Sequence, residues 1–284
     1  MVFLEEAGHE SPSSRGSMVN WATVMDATAG SLLAVERWRD RSVVTRSRSV
    51  APLRLLSPAS RGHAAWVYQS SLGGGFVGAD AIALDVEVGA GARLFLTSQA
   101  SSKVYRRAVS RCRVDASIAA AGVLVAWPDP IACFAGAAFD QRQRFRLARS
   151  AGVIAVDAWT AGRIAHGEAW AFERLALRTE IEIDGAPVLA DAVVVSPAHG
   201  ALAARMARAR AFATIAIAGE AVAAAVPEIA ARAAAPSSAV SVWPWGAVVR
   251  VAAPTTEQLV ATLHAIIGAP VRDVLGADPF VRKW

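Results

Sequence analysis

The sequence predicts a mainly β (α+β) fold, with a strand-rich body followed by a few helices in the C-terminal third. Three observations predict it. Apolar residues recur mostly at every second position from Trp21 to about Val195. Turn signals centred on Gly and Asp divide that region into many short runs. Beyond Ala198 the alternation gives way to Ala-rich stretches and one apolar stripe of helical period. Period two by itself leaves sandwich, barrel and solenoid-like cores open. A chain of 284 residues, 54% hydrophobic and 19% charged, can bury a sizeable core, which excludes a disordered or collagen-like polymer.

Residues 1–20 stand apart. Met1 to Ser17 carries Glu5, Glu6, His9 and Glu10 without an apolar run of signal-peptide length, so no secretory signal is expected. The stretch Ser11–Ser17 reads as a flexible leader, and Met18 is an alternative start. The first well-marked strand places Ile82, Leu84, Val86 and Val88 on one face and Asp85 and Glu87 on the other. Gly89-Ala90-Gly91 then predicts a turn into Arg93–Thr97 as its hairpin partner. Val123–Val125, Gln141–Leu147 and, after Ala151-Gly152, Val153–Trp159 are the next strands. Ile181 and Ile183 alternate with Glu180, Glu182 and Asp184 up to an Asp184-Gly185 turn, and Val188–Val195 is the return strand.

In the last third, Ala198–Ala211 predicts a helix, Phe212–Ala218 a strand, and Glu220–Ala235 a helix interrupted near Pro227. Val240–Val251 is expected to be extended. The final helix is the best marked. Thr255 and Gln258 have capping-box spacing, Leu259, Leu263, Ile266 and Ile267 form one stripe, and Gly268 and Pro270 are expected to stop it. The most apolar stretch, Ala213–Ala235, is broken by Glu220, Pro227, Glu228 and Arg232 and cannot span a bilayer. With no fixed-period repeat or linker in view, residues 21–284 are expected to form one soluble, cytoplasmic unit.

The 29 Lys+Arg against 24 Asp+Glu give a net charge of +5, and the sequence pI is near 10.0. That balance, with Arg142, Arg144 and Arg146 along one strand face, supports an alternative reading as a basic nucleic-acid-binding β-domain. Against it, only Lys103 and Lys283 are lysines, Ala supplies 64 residues, and Asn occurs once, at Asn20. A GC-rich coding bias produces that composition without a polyanion-binding surface. Cys112 and Cys133 lack Cys-x-x-Cys or Cys/His spacing, so two small buried side chains are expected rather than a zinc site. The five histidines are scattered, and His166-Gly167-Glu168 sets a His and a carboxylate two residues apart.

Gly73-Gly74-Gly75-Phe76-Val77-Gly78 satisfies G-x-G-x-x-G, but a dinucleotide fold requires a helix after it, and Ala79–Val88 alternates as a strand. What remains is a backbone that needs glycine, with Asp80 at its end. Thr97–Arg107 is a polar stretch of hydroxyls and amides beside an apolar strand. It contains no His or carboxylate to serve as general base, which argues against nucleophilic catalysis.

Taken together, four stretches resemble the urease accessory protein family usually called UreD (or UreH). Leu72-Gly73-Gly74-Gly75-Phe76-Val77-Gly78-Ala79-Asp80 resembles the family's GGLVGGD turn, with Ala79 in place of a Gly. Gly89–Thr97, Gln99 and Lys103-Val104-Tyr105-Arg106 resemble its GA-L-LTTQAATKVYR signature, with Ser98, Ser101 and Ser102 keeping size and polarity. Pro128-Asp129-Pro130 with Phe134-Ala135-Gly136-Ala137 resembles LPxPxIxFxGA, and Gly162–Trp170 resembles GRxAxGExF/W. The second and fourth are the specific ones. Order and spacing agree from about Trp21 to Trp284, although 198–240 matches mostly by position.

The resemblance implies a non-enzymatic maturation factor with a two-sheet, solenoid-like β core and a few helices. It implies binding to apo-urease and to a UreF-like protein that recruits the GTPase UreG, with a dimer of the accessory complex as the assembly. It implies no tightly bound cofactor, nickel passing transiently through an internal tunnel. On that footing Asp80 and Glu168 are candidates for a weak Ni²⁺ path, joined by Thr97, Ser98 and Gln99. Such donors suit a conduit, because tight His/Cys ligation would trap the ion. Gly74, Gly75, Gly78, Gly162 and Gly167 are turn or tunnel positions, Gly167 letting backbone approach the path. Lys103, Tyr105, Arg106 and Arg163 are partner-binding candidates, with Lys103 and Arg163 orienting carboxylates or holding a partner.

Overall fold

The computed structural model describes residues 30–59, 62–278 and 280; the expected leader over 1–20 and the start at Met18 lie outside these. Between them, the strands coil as a solenoid of stacked rungs. Each rung runs along one sheet, turns a short corner and returns along the other. The successive rungs are β4 (Ala65–Ser71), β5 (Gly75–Phe76) and β6 (Ala81–Val88); β7 (Arg93–Ser98), β8 (Lys103–Val104) and β9 (Val109–Ile118); and β10 (Val123–Ala126), β11 (Ile131–Cys133) and β12 (Ala138–Leu147). A fourth begins with β13 (Gly152–Thr160), passes a ribbon of β14 (Gly162–Arg163) and β15 (Glu168–Ala169), and ends in β16 (Arg174–Ile183). Rungs recur at intervals of about 29 residues. The sequence hides this repeat because each turn keeps the apolar pattern without keeping the residues.

Strands of successive rungs pair in parallel: β6, β9, β12 and β16 in the first sheet, and β4, β7, β10 and β13 in the second. The expected hairpin between β6 and β7 is therefore corrected. Gly89–Gly91 carries the chain from the first sheet to the second, and its turn bonds to the next rung, with the Gly91 N–H donating to the Ala120 carbonyl at 2.9 Å. A turn stacked on its neighbour above favours crossover in place of reversal. Further strands cap both ends. β1 (Ser31–Trp38) pairs with β6 in parallel and β2 (Arg41–Arg48) returns antiparallel to it, while β3 (Leu53–Leu56) lies antiparallel beyond β4. At the other end β17 (Ala186–Val195) closes the first sheet as the hairpin return from β16, while β18 (Ala211–Ala218), β20 (Gly246–Ala253) and β19 (Ser238–Trp243) extend the second.

The two sheets differ in what covers them, and that difference explains the sequence pattern. Ile82, Leu84, Val86 and Val88 join Leu94, Leu96, Phe139, Phe145 and Ile181 in a core between the sheets. The first sheet's other face is open to solvent, so its strands alternate cleanly. The second sheet is buried on both faces, and every residue of β13 from Gly152 to Thr160 is buried. Its outer face carries a second core of Phe95, Ile154, Val156, Ile215, Val249 and helical residues. Phe145→Ala, at a fully buried position between the sheets, is expected to cost about 3–5 kcal/mol, read as a fall in the urea midpoint.

Two helix expectations are corrected. Of Ala198–Ala211, only α1 (Leu202–Arg205) is helical, after a 3₁₀ turn at Pro197–His199, and Ala211 already belongs to β18. Leu202 is its one buried residue, so no apolar stripe supports a longer helix. The interrupted helix is present as α2 (Glu220–Ala223) and α3 (Val226–Arg232). The last helix, α4 (Thr256–Leu275), is capped by Thr255, whose hydroxyl accepts the Gln258 N–H at 3.2 Å. It continues through Gly268 and Pro270, because Pro270, Val271 and Leu275 carry the buried stripe onward, and it stops at Gly276 in the left-handed conformation.

Candidate functional site

The short corner strands bring the four signature stretches together. β5, β8 and β11 pair in parallel, aligning Gly75 with Lys103 and Ala132, and Phe76 with Val104 and Cys133. A Cβ on Gly75 would overlap the Lys103 carbonyl oxygen, so glycine is required there by close approach. Gly74 and Gly78 adopt φ of +74° and +65° in open surroundings and are required by conformation. Asp80 closes this turn: its Oδ2 accepts the Val77 N–H at 2.7 Å.

The β14–β15 ribbon seats Gly162–Trp170 against the same corner. A Cβ on Gly162 would lie 2.7 Å from the Glu168 carbonyl and 2.9 Å from that of Cys133. His166 and Glu168 do not share an extended face, because Ile164–His166 is a 3₁₀ turn. Gly167 ends that turn at φ +74° with open space around it, so its requirement is conformational rather than one of close approach. Arg163 grips the Glu168 carboxylate through Nη2 and, at 3.2 Å, through Nε, and the Ala135 N–H donates to Glu168 Oε2 at 3.3 Å. The Arg163 bond leads in holding the Glu168 carboxyl below the usual range. The guanidinium also lies 4.7 Å over the Phe134 ring, which packs edge-on against Tyr105. Lys103 and Arg106 are exposed beside this stack, as are the apolar Leu72, Val77 and Ile164.

Thr97 and Ser98 end β7, and Gln99 follows it. Leu94 and Leu96 face the core between the sheets and Phe95 faces the helices, so alternation sends Ser98 to the former side and Thr97 to the latter. Thr97 Oγ1 donates to the Trp127 carbonyl at 2.6 Å; Ser98 Oγ accepts the Asp129 N–H at 2.7 Å and donates to its carboxylate at 3.0 Å. Gln99 is exposed, its backbone N–H bonded to Gln69.

The structure adds a polar group inside the core that the sequence reading did not single out. Asp157, the one charged residue of β13, points between the sheets on the same face as Val153, Ala155 and Trp159. Across the gap the Gln141 amide donates to Asp157 Oδ1, and Thr179 Oγ1 donates to Oδ2 at 3.3 Å. Gln143 also favours the carboxylate. Burial nevertheless prevails and pushes the Asp157 carboxyl up to about 6, with the neighbouring charge of Asp191 adding to it. Cys112, opposite Gln141 in β9, is pushed up to about 12 by burial and then by Asp157, so it stays a neutral thiol. The row continues to Asp191 in β17, Thr214 in β18 and Arg250 in β20. Two signals were available in the sequence: an Asp inside an apolar strand, and Gln141 and Gln143 on the Phe145 face opposite the arginines. Among the described residues, there is no group of three or more His, Cys, Asp or Glu that could hold a metal ion. The row can offer a cation only weak oxygen donors.

The strand face of Arg142, Arg144 and Arg146 is half-buried to exposed and charge-paired. Arg142 and Arg144 bond Glu180 at 2.7 and 3.3 Å, and Arg146 approaches Asp115 at 3.7 Å and Glu182 at 3.9 Å. Burial of Glu180 opposes ionisation, but hydrogen bonds from Arg142 and Arg178 outweigh it and hold its carboxyl at about 2. Stability from this lattice is present above the ordinary carboxylate range and is lost as pH falls from about 4.5 towards 2.

Fold and site define a capped two-sheet β-solenoid with a hydrogen-bonded polar row in its core and a glycine-built corner. The chain belongs to the UreD family of urease accessory proteins: the family profile described as UreD urease accessory protein matches residues 28–284. It is 44% identical over 260 residues to the urease accessory protein UreD of Sorangium cellulosum (strain So ce56), covering 89% of this chain and 83% of the relative. It is 41% identical over 252 residues to that of Anaeromyxobacter sp. (strain Fw109-5), covering 85% and 84%. A plant relative, urease accessory protein D of Oryza sativa subsp. japonica, is 34% identical over 181 residues, 61% of this chain and 59% of the relative. No helix among the described residues is long and apolar enough to cross a membrane.

Proposed function

We propose that this chain is a cytoplasmic, non-catalytic maturation scaffold that binds apo-urease with UreF-like and UreG-like accessory proteins and passes nickel, its cargo, between its two sheets. The observation that carries the reading is the polar row centred on Asp157. Placing an ionisable group and its amide partners in an apolar core lowers stability, and a side chain kept there at that cost fits a route for a charged passenger. Its donors are carboxylate, amide and hydroxyl oxygens with a neutral thiol, which hold a divalent cation loosely enough to release it. The corner cluster supplies the partner face, with exposed Leu72, Val77 and Ile164 among Lys103, Tyr105 and Arg106. Partner subunits would cover such exposed apolar side chains.

The test is co-expression of the urease subunits and the other accessory proteins with and without this chain, measuring nickel bound to urease. Equal loading in both would overturn the proposal. Asp80→Ala and Glu168→Ala are expected to lower urease activation while the accessory complex still assembles on a sizing column. Normal activation by both variants removes these two carboxylates from the path. The arginine face is already neutralised by Glu180, Glu182 and Asp115. A mobility-shift assay with duplex DNA at low salt is accordingly expected to show no complex.

A further inference from the structure

We propose that Arg250 gates the C-terminal mouth of the polar row, keeping a divalent cation out while its guanidinium is seated on Asp191. The inference rests on the conduit reading above. Arg250 Nη2 and Nη1 both bond the Asp191 carboxylate, the latter at 3.5 Å, and Nη1 reaches Thr214 Oγ1 at 3.3 Å. Among the described residues this is the ion pair that joins the two sheets, Asp191 coming from the edge strand of the first and Arg250 from the second. Register ties it to the row. Thr214 stands opposite Arg250 on one side and opposite Asp157 on the other. Asp191 stands opposite Thr179, which donates to Asp157.

Exposure grades outward along this connection. Asp157 is buried, the Asp191 side chain is 13% exposed and that of Arg250 is 33% exposed, so the pair lies between solvent and the row. A guanidinium has no lone pair to offer a metal and keeps its positive charge at every physiological pH. Seated, it neutralises Asp191 and leaves Asp157 as the row's one available carboxylate. Swung out on its flexible, partly solvated stem, it exposes Asp191 as the first oxygen donor a cation would meet, with Thr214 and Thr179 leading inward. The same pair gives a reason for an arginine in a passage meant for cations: it prevents uncontrolled entry.

The test is equilibrium dialysis of the purified full chain against nickel chloride at neutral pH. Arg250→Gln is expected to tighten apparent nickel binding about tenfold, and Arg250→Lys to stay near the wild type. Asp157→Asn added to Arg250→Gln should return binding to the weak wild-type level. Arg250→Met, which keeps the packing of the stem, gives the same readout if the glutamine variant does not fold. Unchanged nickel binding by a folded neutral variant overturns the gate, as does a lysine variant that behaves like the glutamine one. If Asp157→Asn alone loads urease normally, the conduit reading fails and the gate with it. If that variant is impaired while neutral Arg250 variants bind nickel as the wild type does, only the gate fails.

Discussion

Asp157→Asn is expected to lower the nickel content of co-expressed urease by about tenfold or more, while the variant protein is at least as stable as the parent near neutral pH. The two effects have one cause. The carboxyl, raised from 3.8 to about 6 mainly by burial, costs the folded state on the order of 3 kcal/mol once it is ionised. Gln141 and Thr179 can adapt to an amide, one by flipping and the other by rotating its hydroxyl. The sign of the pH dependence follows. Between about pH 4 and 6 the folded state holds the proton more tightly than the unfolded chain, so stability falls as pH rises through this window. In urea titrations the advantage of the Asn variant should therefore grow from pH 4 to pH 6 and then level off. A constant difference across the window would show that the carboxyl is not perturbed, and normal nickel loading would remove Asp157 from the path. The Glu180 lattice loses its contribution at lower pH, which keeps the two transitions apart.

Gly75→Ala is expected to produce the largest structural defect of any single-methyl change at the corner. The added carbon would overlap the Lys103 carbonyl oxygen, which belongs to the neighbouring backbone and cannot swing away. A loss of about 3 kcal/mol or more is expected, with protease cleavage opening between Leu72 and Asp80. Gly167→Ala is the control. Its φ of +74° is strained for alanine, but nothing lies within 4 Å of the new carbon, so about 1 kcal/mol is expected. Thermal melts and limited proteolysis distinguish the two, and equal effects would show that the corner strands are not packed as tightly as β5 and β8 indicate.

Local periodicity carried much of the architecture. The alternation at Ile82–Val88, the Asp184-Gly185 hairpin and the Thr255 cap are all where near-neighbour patterns place them, because those patterns are decided within one strand or one helical turn. The Gly89–Gly91 turn reads locally as a hairpin but is a crossover between the sheets. A tight turn looks the same whether the chain reverses in one sheet or crosses to another, and the choice belongs to the Ala120 carbonyl of the next rung. The last helix runs past its local stop signals for a related reason, since burial of Pro270, Val271 and Leu275 outweighs the local preference to stop.

The candidate site divides in the same way. By itself the sequence determined the strand-rich class, the positions where backbone needs glycine, and the four stretches that mark the family. Those are properties of short segments, readable from spacing and residue type. Only the tertiary structure decided that the stretches meet at one corner, that Arg163 pairs with Glu168, that the arginine face is neutralised, and that Asp157, Asp191 and Arg250 form one connection across the core. Each of those depends on which residues become neighbours when parallel rungs stack. A period of two tells a side chain which face it occupies but not which strand will lie beside it.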